Sequence, residues 1–138
     1  MAEKERKISR AKVPVILQME ATECGAASLA MVLAYYGLWL PLERLRQECG
    51  VSRDGSKASN VLKAARKLGC QAAGYRMMAD QLRQEEYPLI IHWEFNHFVV
   101  LEGIKDDTVY LNDPAVGRRT VSWDSFQSSY TGISLDIR

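Results

Sequence analysis

Paired cysteines are missing from this 138-residue chain: Cys24, Cys49 and Cys70 are odd in number and have no C-x-x-C spacing. That excludes a disulfide framework and points to a reducing compartment, the cytosolic side. No apolar run approaches the roughly 18 residues of a membrane span, and the start MAEKERKISRAK lacks the apolar segment of a signal peptide. A soluble domain is expected. Neither sign of charge dominates, and a net charge of +1 with a pI of about 7.7 gives no ground for nucleic acid as a partner. Cys24, Cys49, Cys70, His92 and His97 show none of the paired short spacings of a structural zinc site, so neither a metal nor another cofactor is expected. Repeats, low-complexity segments and internal linkers are absent too. What is there is 47% apolar residues, enough for one domain with a real core.

The chain is organised around residues 18 to 37, QMEATECGAASLAMVLAYYG. From Gly25 to Tyr36 the only strongly polar residue is Ser28, so the helix predicted there has no polar face and should be buried on nearly every side. Thr22 reads as its N-cap and Gly37 as the residue that ends it. Cys24 then falls in the first turn, where the helix dipole favours a thiolate; the neighbouring Glu23 opposes this, so a basic partner is required.

Residues 1 to 12 carry Lys4, Arg6, Lys7, Arg10 and Lys12 against Glu3 and Glu5 and read as a flexible basic tail, with contact to anionic lipid or an acidic partner as the functional alternative. The domain is expected to span 13 to 138, beginning with VPVIL, an extended segment that Pro14 keeps out of helix and that delivers Gln18 to the site. LWLPLERLRQECG reads as a second, shorter helix with Pro41 near its first turn, ending at Gly50, with Cys49 packed there. VSRDGS is a turn, and SNVLKAARKLG is an amphipathic helix closed by Gly69. From Cys70 onward the pattern turns to strands: CQAAGYRM, PLIIHW, HFVVLEGI, TVYLND, RRTVSW and ISLDI, with helical turns at ADQLRQEE and WDSFQSSY. Helices followed by an antiparallel sheet make an α+β fold.

A turn at KDD would pair HFVVLEGI with TVYLND so that facing residue numbers sum to roughly 211, which brings His97 near Asp113 within a residue or two of register. An imidazole and a carboxylate then meet at the open end of one hairpin, with Pro114 ending the second strand. Beside Cys24 they form nucleophile, base and orienting group, the pattern of an activated thiol. Each residue also has an ordinary reading: a small core cysteine, a structural histidine, an Asp-Pro turn. His92 competes for the role of base, although it stands inside the apolar strand LIIHW.

Three ordered motifs carry a family resemblance: Q-x-E-x-x-E-C-G-x-A-x-L-x-M-x-x-x-Y-Y-G at 18 to 37, H-F-V-V-L at 97 to 101, and D-P-x-x-G at 113 to 117. From about Val13 to its end the chain resembles the papain-like cysteine peptidase domain of bacteriocin-processing ABC transporters, which cleaves peptides after a double-glycine leader. The resemblance implies Cys24 as nucleophile, His97 as base and then acid, and Asp113 as the group that holds the imidazole. It further implies that Gln18 and the backbone N–H of Cys24 serve the oxyanion. The implied partner is the leader of a ribosomal precursor peptide, an amphipathic helix with small residues before the cut. Tyr75, Met77 and Met78 are candidates for gripping it, with core packing as their ordinary role. Transmembrane and ATP-binding parts of a full transporter are further implied partners, at the cytosolic face of the inner membrane, although the chain itself reads as an excised or free-standing peptidase domain. A non-cleaving, leader-binding module is the alternative. The presence of Cys24, His97 and Asp113 together favours the peptidase.

Overall fold

The computed structural model of the chain describes residues 10–50, 55, 57–94 and 97–138. A 3-10 turn (Ala21–Glu23) leads into α1 (Cys24–Tyr35), followed by α2 (Leu42–Glu48) and α3 (Ala58–Lys67). Every residue of α1 from Cys24 to Ala34 is buried, as expected for a helix without a polar face, and Ser28 bonds its hydroxyl to the Phe98 carbonyl at 3.3 Å. Tyr36 caps the helix, and Gly37, at φ 97°, takes the left-handed conformation that a side chain would resist. The turn expected at VSRDGS lies outside the described residues, apart from Gly55.

Among the described residues the strands follow these helices: β1 (Ala72–Arg76), β2 (Leu89–Trp93), β3 (His97–Lys105), β4 (Thr108–Asp113), β5 (Gly117–Ser122) and β6 (Tyr130–Ile137). Two short helices interrupt them, α4 (Ala79–Leu82) and α5 (Trp123–Ser129). The strands form one antiparallel sheet in the order β1-β6-β2-β3-β4-β5. The expected α+β class is what the structure has.

Both faces of the sheet are covered. On β2 and β3, Ile90, Phe98 and Val100 pack with Leu29, Met31 and Leu33 of α1 and with α2 and α3. Leu89, Ile91, Trp93, Val99 and Leu101 form a second core with Leu82 and Phe126 of the short helices. This explains why PLIIHW and HFVVL read as unbroken apolar runs rather than alternating ones. Each buried large side chain contributes about 1.5–3 kcal/mol of transfer free energy, so the two layers make the sheet a rigid platform.

Residues 10 and 11, placed in the tail, pack onto the domain. Arg10 bridges to Gly103, Ala11 is buried, and the Ala11 N–H donates to the Glu102 carbonyl at 2.7 Å. Positive charge alone does not make a segment a tail: Arg10 stacks its guanidinium 4.0 Å from the Tyr110 ring centroid. Residues 1–9 of the expected tail lie outside the described residues. Val13 is then clamped by a buried polar cluster, its N–H donating to Glu102 Oε2 at 2.9 Å and its carbonyl accepting from Asn112 and Arg118. This fixes the extended segment along the β3–β4–β5 end of the sheet, with Gln18 at its tip.

Candidate active site

Cys24 is buried at the first position of α1. Thr22 does not cap this helix: it lies inside the 3-10 turn, and the cap position falls to Glu23, with φ −99° and no side-chain cap bond. The tight turn moves the helix start one residue later than cap preference suggests. Glu23 also differs from the bare acidic neighbour expected from the sequence. It is buried, its Oε1 accepts from the N–H groups of Met19 (2.8 Å) and Glu20 (3.1 Å), and its Oε2 lies 3.2 Å from Arg46 Nε. Its charge is committed to those partners.

His97 opens β3 and Asp113 closes β4. The hairpin turns at Asp106 and Asp107, with Asp106 at φ 55°, and it carries a bulge between Leu101 and Gly103. Facing pairs such as Val100 with Asn112 and Lys105 with Thr108 therefore sit one to two residues beyond the expected register. Asp113 consequently meets His97 on the diagonal, and His97 Nε2 lies 2.7 Å from Asp113 Oδ1. The carboxylate accepts, so Nε2 carries a proton and Nδ1 is the ring nitrogen left for Cys24, with which His97 also hydrogen-bonds. Burial works against a charge on His97. The hydrogen bonds to Asp113 and Cys24 and their charges outweigh it and raise the imidazole to about 9. Burial likewise pushes Asp113 up, but its bonds from His97 and the Ala115 N–H, and the His97 and Arg119 charges, hold it below the usual carboxylate range.

Arg119 is a site residue that the sequence reading passed over. Its guanidinium lies 3.2 Å from Asp113 Oδ2 and 5.8 Å from the Trp93 ring centroid, and Trp93 faces His97 across β2 and β3. The signal was present in the D-P-x-x-G turn: with Asp113 opposite Gly117 and Leu111 opposite Arg119, the arginine falls diagonally across from the acid.

Gln18 joins this end of the sheet through its backbone, its N–H donating to the Pro114 carbonyl at 2.8 Å. Its Oε1 is buried without a hydrogen-bond partner among the described residues, a placement that ordinarily costs about 1–3 kcal/mol. The side-chain carbonyl is therefore not used up in holding backbone. His92 is engaged elsewhere, with Nδ1 at 2.8 Å from Thr131 Oγ1 and its ring edge-on to Phe98. Burial pushes the Cys49 thiol up to about 12 and raises that of Cys70, which withdraws both from thiolate chemistry.

Tyr75, Met77 and Met78 lie apart from these residues, on and after β1, which β6 and β2 separate from β3. Tyr75 (46%) and Met78 (75%) are too exposed for the core role that was their ordinary reading; only Met77 packs against a core. Met77 and Met78, with Arg76, Ala79, Tyr130 and Gly132, line an open cleft of about 510 Å³.

A cysteine at the start of a buried helix, joined through a histidine on the adjoining sheet to an aspartate on the next strand, is the architecture of a papain-like cysteine peptidase. The chain belongs to the peptidase C39 family, whose model matches residues 12–138. It is similar to a double glycine motif protease from an AMS/PCAT transporter, solved in complex with the leader peptide, with 60% identity, 94% of each chain covered and a TM-score of 0.92. The peptidase domain of Streptococcus ComA superposes with a TM-score of 0.86 at 26% identity, covering 91% of this chain and 98% of that one. In sequence the chain is 37% identical over 128 residues to the probable microcin-H47 secretion/processing ATP-binding protein MchF of Escherichia coli. It is 36% identical over 126 residues to the colicin V secretion/processing ATP-binding protein CvaB of the same organism. These alignments cover 93% and 91% of this chain but 18% of each relative, so the chain spans less than a fifth of their length.

Proposed function

We propose that this chain is a cysteine endopeptidase that removes the leader from ribosomally made precursor peptides, cutting after a Gly-Gly or Gly-Ala motif. The observation that carries the reading is the hydrogen-bonded line Cys24–His97–Asp113. The 60% identity to a double glycine motif protease seen with its leader peptide supports the substrate class. Cys24 Sγ attacks the carbonyl carbon before the scissile bond while its proton rests on His97 Nδ1. His97 then passes that proton to the leaving amine, and the thioester is released by a water that His97 deprotonates. Asp113 holds the imidazole in the required tautomer, and the Gln18 amide donates to the oxyanion of each tetrahedral intermediate.

The apolar cleft around Met77 and Met78, with exposed Tyr75 beside it in sequence, is suited to an amphipathic leader helix. The relatives are named as secretion/processing ATP-binding proteins, which supports work beside ATP-binding and membrane-spanning transport parts at the cytosolic face. Among the described residues no helix is long and apolar enough to cross a membrane. Incubation with a leader–core precursor, followed by product masses, tests the proposal. Two products meeting after the small-residue pair are expected, and an uncut precursor would leave leader binding without cleavage.

Two kinetic outcomes follow from the geometry. Gln18→Ala should lower kcat by about 10²- to 10³-fold with KM nearly unchanged, as for a donor that acts on the transition state; a change in KM alone would place Gln18 in substrate binding. Activity needs the His97 proton, and His97 is raised above its ordinary value to about 9. kcat/KM should therefore hold through neutral pH and fall as the pH rises through about 9. Asp113→Asn keeps an acceptor but removes the charge that raises the imidazole, so its alkaline limb should move to lower pH. An unmoved limb would assign that titration to another group.

A further inference from the structure

Gln18 and Cys24 are six positions apart, and the loop between them contains one buried ionic group. Glu23 is 1% exposed and reaches back over the 3-10 turn so that Oε1 takes the N–H groups of Met19 and Glu20, the two residues directly after Gln18. On the near side of Gln18, its own N–H is tied to Pro114, the residue after Asp113. The backbone that carries the Gln18 amide is thus held from both flanks, by the acid's strand on one side and by the residue preceding the nucleophile on the other. The remaining oxygen of Glu23 faces Arg46 Nε in the last turn of α2 at 3.2 Å, and the Arg46 side chain is 41% exposed. A buried carboxylate without such a counter-charge would cost several kcal/mol. The Arg46 guanidinium is the counter-charge beside this carboxylate.

We infer that Glu23, seated by Arg46, is a positioning residue that fixes the Gln18 amide relative to Cys24, so that the oxyanion site is formed before substrate arrives. The inference rests on the proposed role of Gln18. It assigns Glu23 a role opposite to that of a charge disfavouring the thiolate: the carboxylate acts on the oxyanion side of the site and leaves the thiol–imidazole pair alone. Because Glu23 works through Gln18, its loss cannot cost more than the loss of Gln18 itself.

The test is a double-mutant cycle on the whole chain with a leader–core precursor as substrate. Glu23→Ala removes both acceptor contacts and should lower kcat by about 10-fold or more, up to the 10²- to 10³-fold of Gln18→Ala, with KM changed by less than about twofold. Glu23→Gln keeps one acceptor oxygen for the two N–H groups and should recover most of the lost rate. In the Gln18→Ala background, Glu23→Ala should have almost no further effect. Alkylation of Cys24 by iodoacetamide, which develops no oxyanion, should proceed at the unmodified rate in both single variants. Should Glu23→Ala fail to fold, Glu23→Asp carries the same cycle, because it keeps the charge for Arg46 and withdraws the oxygen from the loop. Additive losses in the cycle, or slowed alkylation, would overturn the inference while leaving the peptidase reading intact. A Gln18→Ala enzyme with full kcat would overturn the oxyanion role first.

Discussion

Cys24→Ala should abolish turnover of a leader–core precursor, and His97→Ala should come close to it, each on the order of 10⁴-fold or more, since members of one catalytic unit fail together rather than in part. The geometry makes the two losses interdependent: His97 hydrogen-bonds both Asp113 and Cys24, so removing either end breaks the same proton path. Both variants should fold. Cys24 is a small side chain at a helix start, and His97 keeps part of its surface at the mouth of the hairpin. Circular dichroism and the thermal midpoint check folding, while product masses over time check activity. Iodoacetamide should mark Cys24 before the deeply buried Cys49. Cleavage that persists in Cys24→Ala would remove the cysteine from the mechanism, and loss on Cys49→Ala or Cys70→Ala with Cys24 intact would move the nucleophile there.

A bulky residue placed just before the scissile bond should be as damaging as loss of the nucleophile. Gln18, the proposed oxyanion donor, stands between Leu17 and Met19, both exposed, and exposed Val116 follows the Pro114 carbonyl that anchors Gln18. On that proposal a substrate carbonyl must come within hydrogen-bond reach of the Gln18 amide and within attack distance of Cys24, which leaves little tolerance for a large side chain on the same residue. Gly or Ala can enter; Leu or Phe in their place should stop processing by steric exclusion. Changes to apolar leader residues at i, i+3/i+4 and i+7 should instead raise KM, because the cleft proposed to grip them lies apart from Cys24 and His97. Unrelated cores behind one leader should be cut at similar rates. A panel of such precursors, with rate and product mass for each, decides the matter. Efficient cutting of leaderless cores or of bulky sites would defeat the reading and describe a general protease.

Much of this site was legible before any coordinates. The buried helix followed from a segment whose polar content is Ser28 alone, and the meeting of His97 with Asp113 followed from two alternating segments around a turn. The register falls within the residue or two expected, and its exact value was hidden because a bulge at Leu101 to Gly103 and a two-residue turn leave no mark on apolar patterning. Glu23 could not be read correctly from the sequence, since its neighbours in space are Arg46 and the backbone of residues 19 and 20. In sequence its neighbours are Thr22 and Cys24. Ala11 was assigned to the tail because a lone alanine among charges carries no periodicity; its burial depends on Glu102, far along the chain. Arg119 was within reach of the same hairpin geometry that joined His97 to Asp113, had that geometry been applied to the next turn.

The strand order has a consequence for the sequence of assembly. Strands β2 to β5 are consecutive neighbours, so residues 89–122 can pair as each strand follows the last, and this run already contains His97, Asp113 and Arg119. β1 has no partner among them. In the finished sheet it pairs with β6, which fills the slot between β1 and β2. The basic and acidic members of the site can thus be brought into register by local steps, whereas the sheet carrying the Met77–Met78 cleft waits for residues 130–137, a long-range closure that is paid for last. The His97–Asp113 pair and the proposed leader-binding cleft therefore belong to different stages of one folding reaction, and a chain arrested before β6 would hold the first without the second.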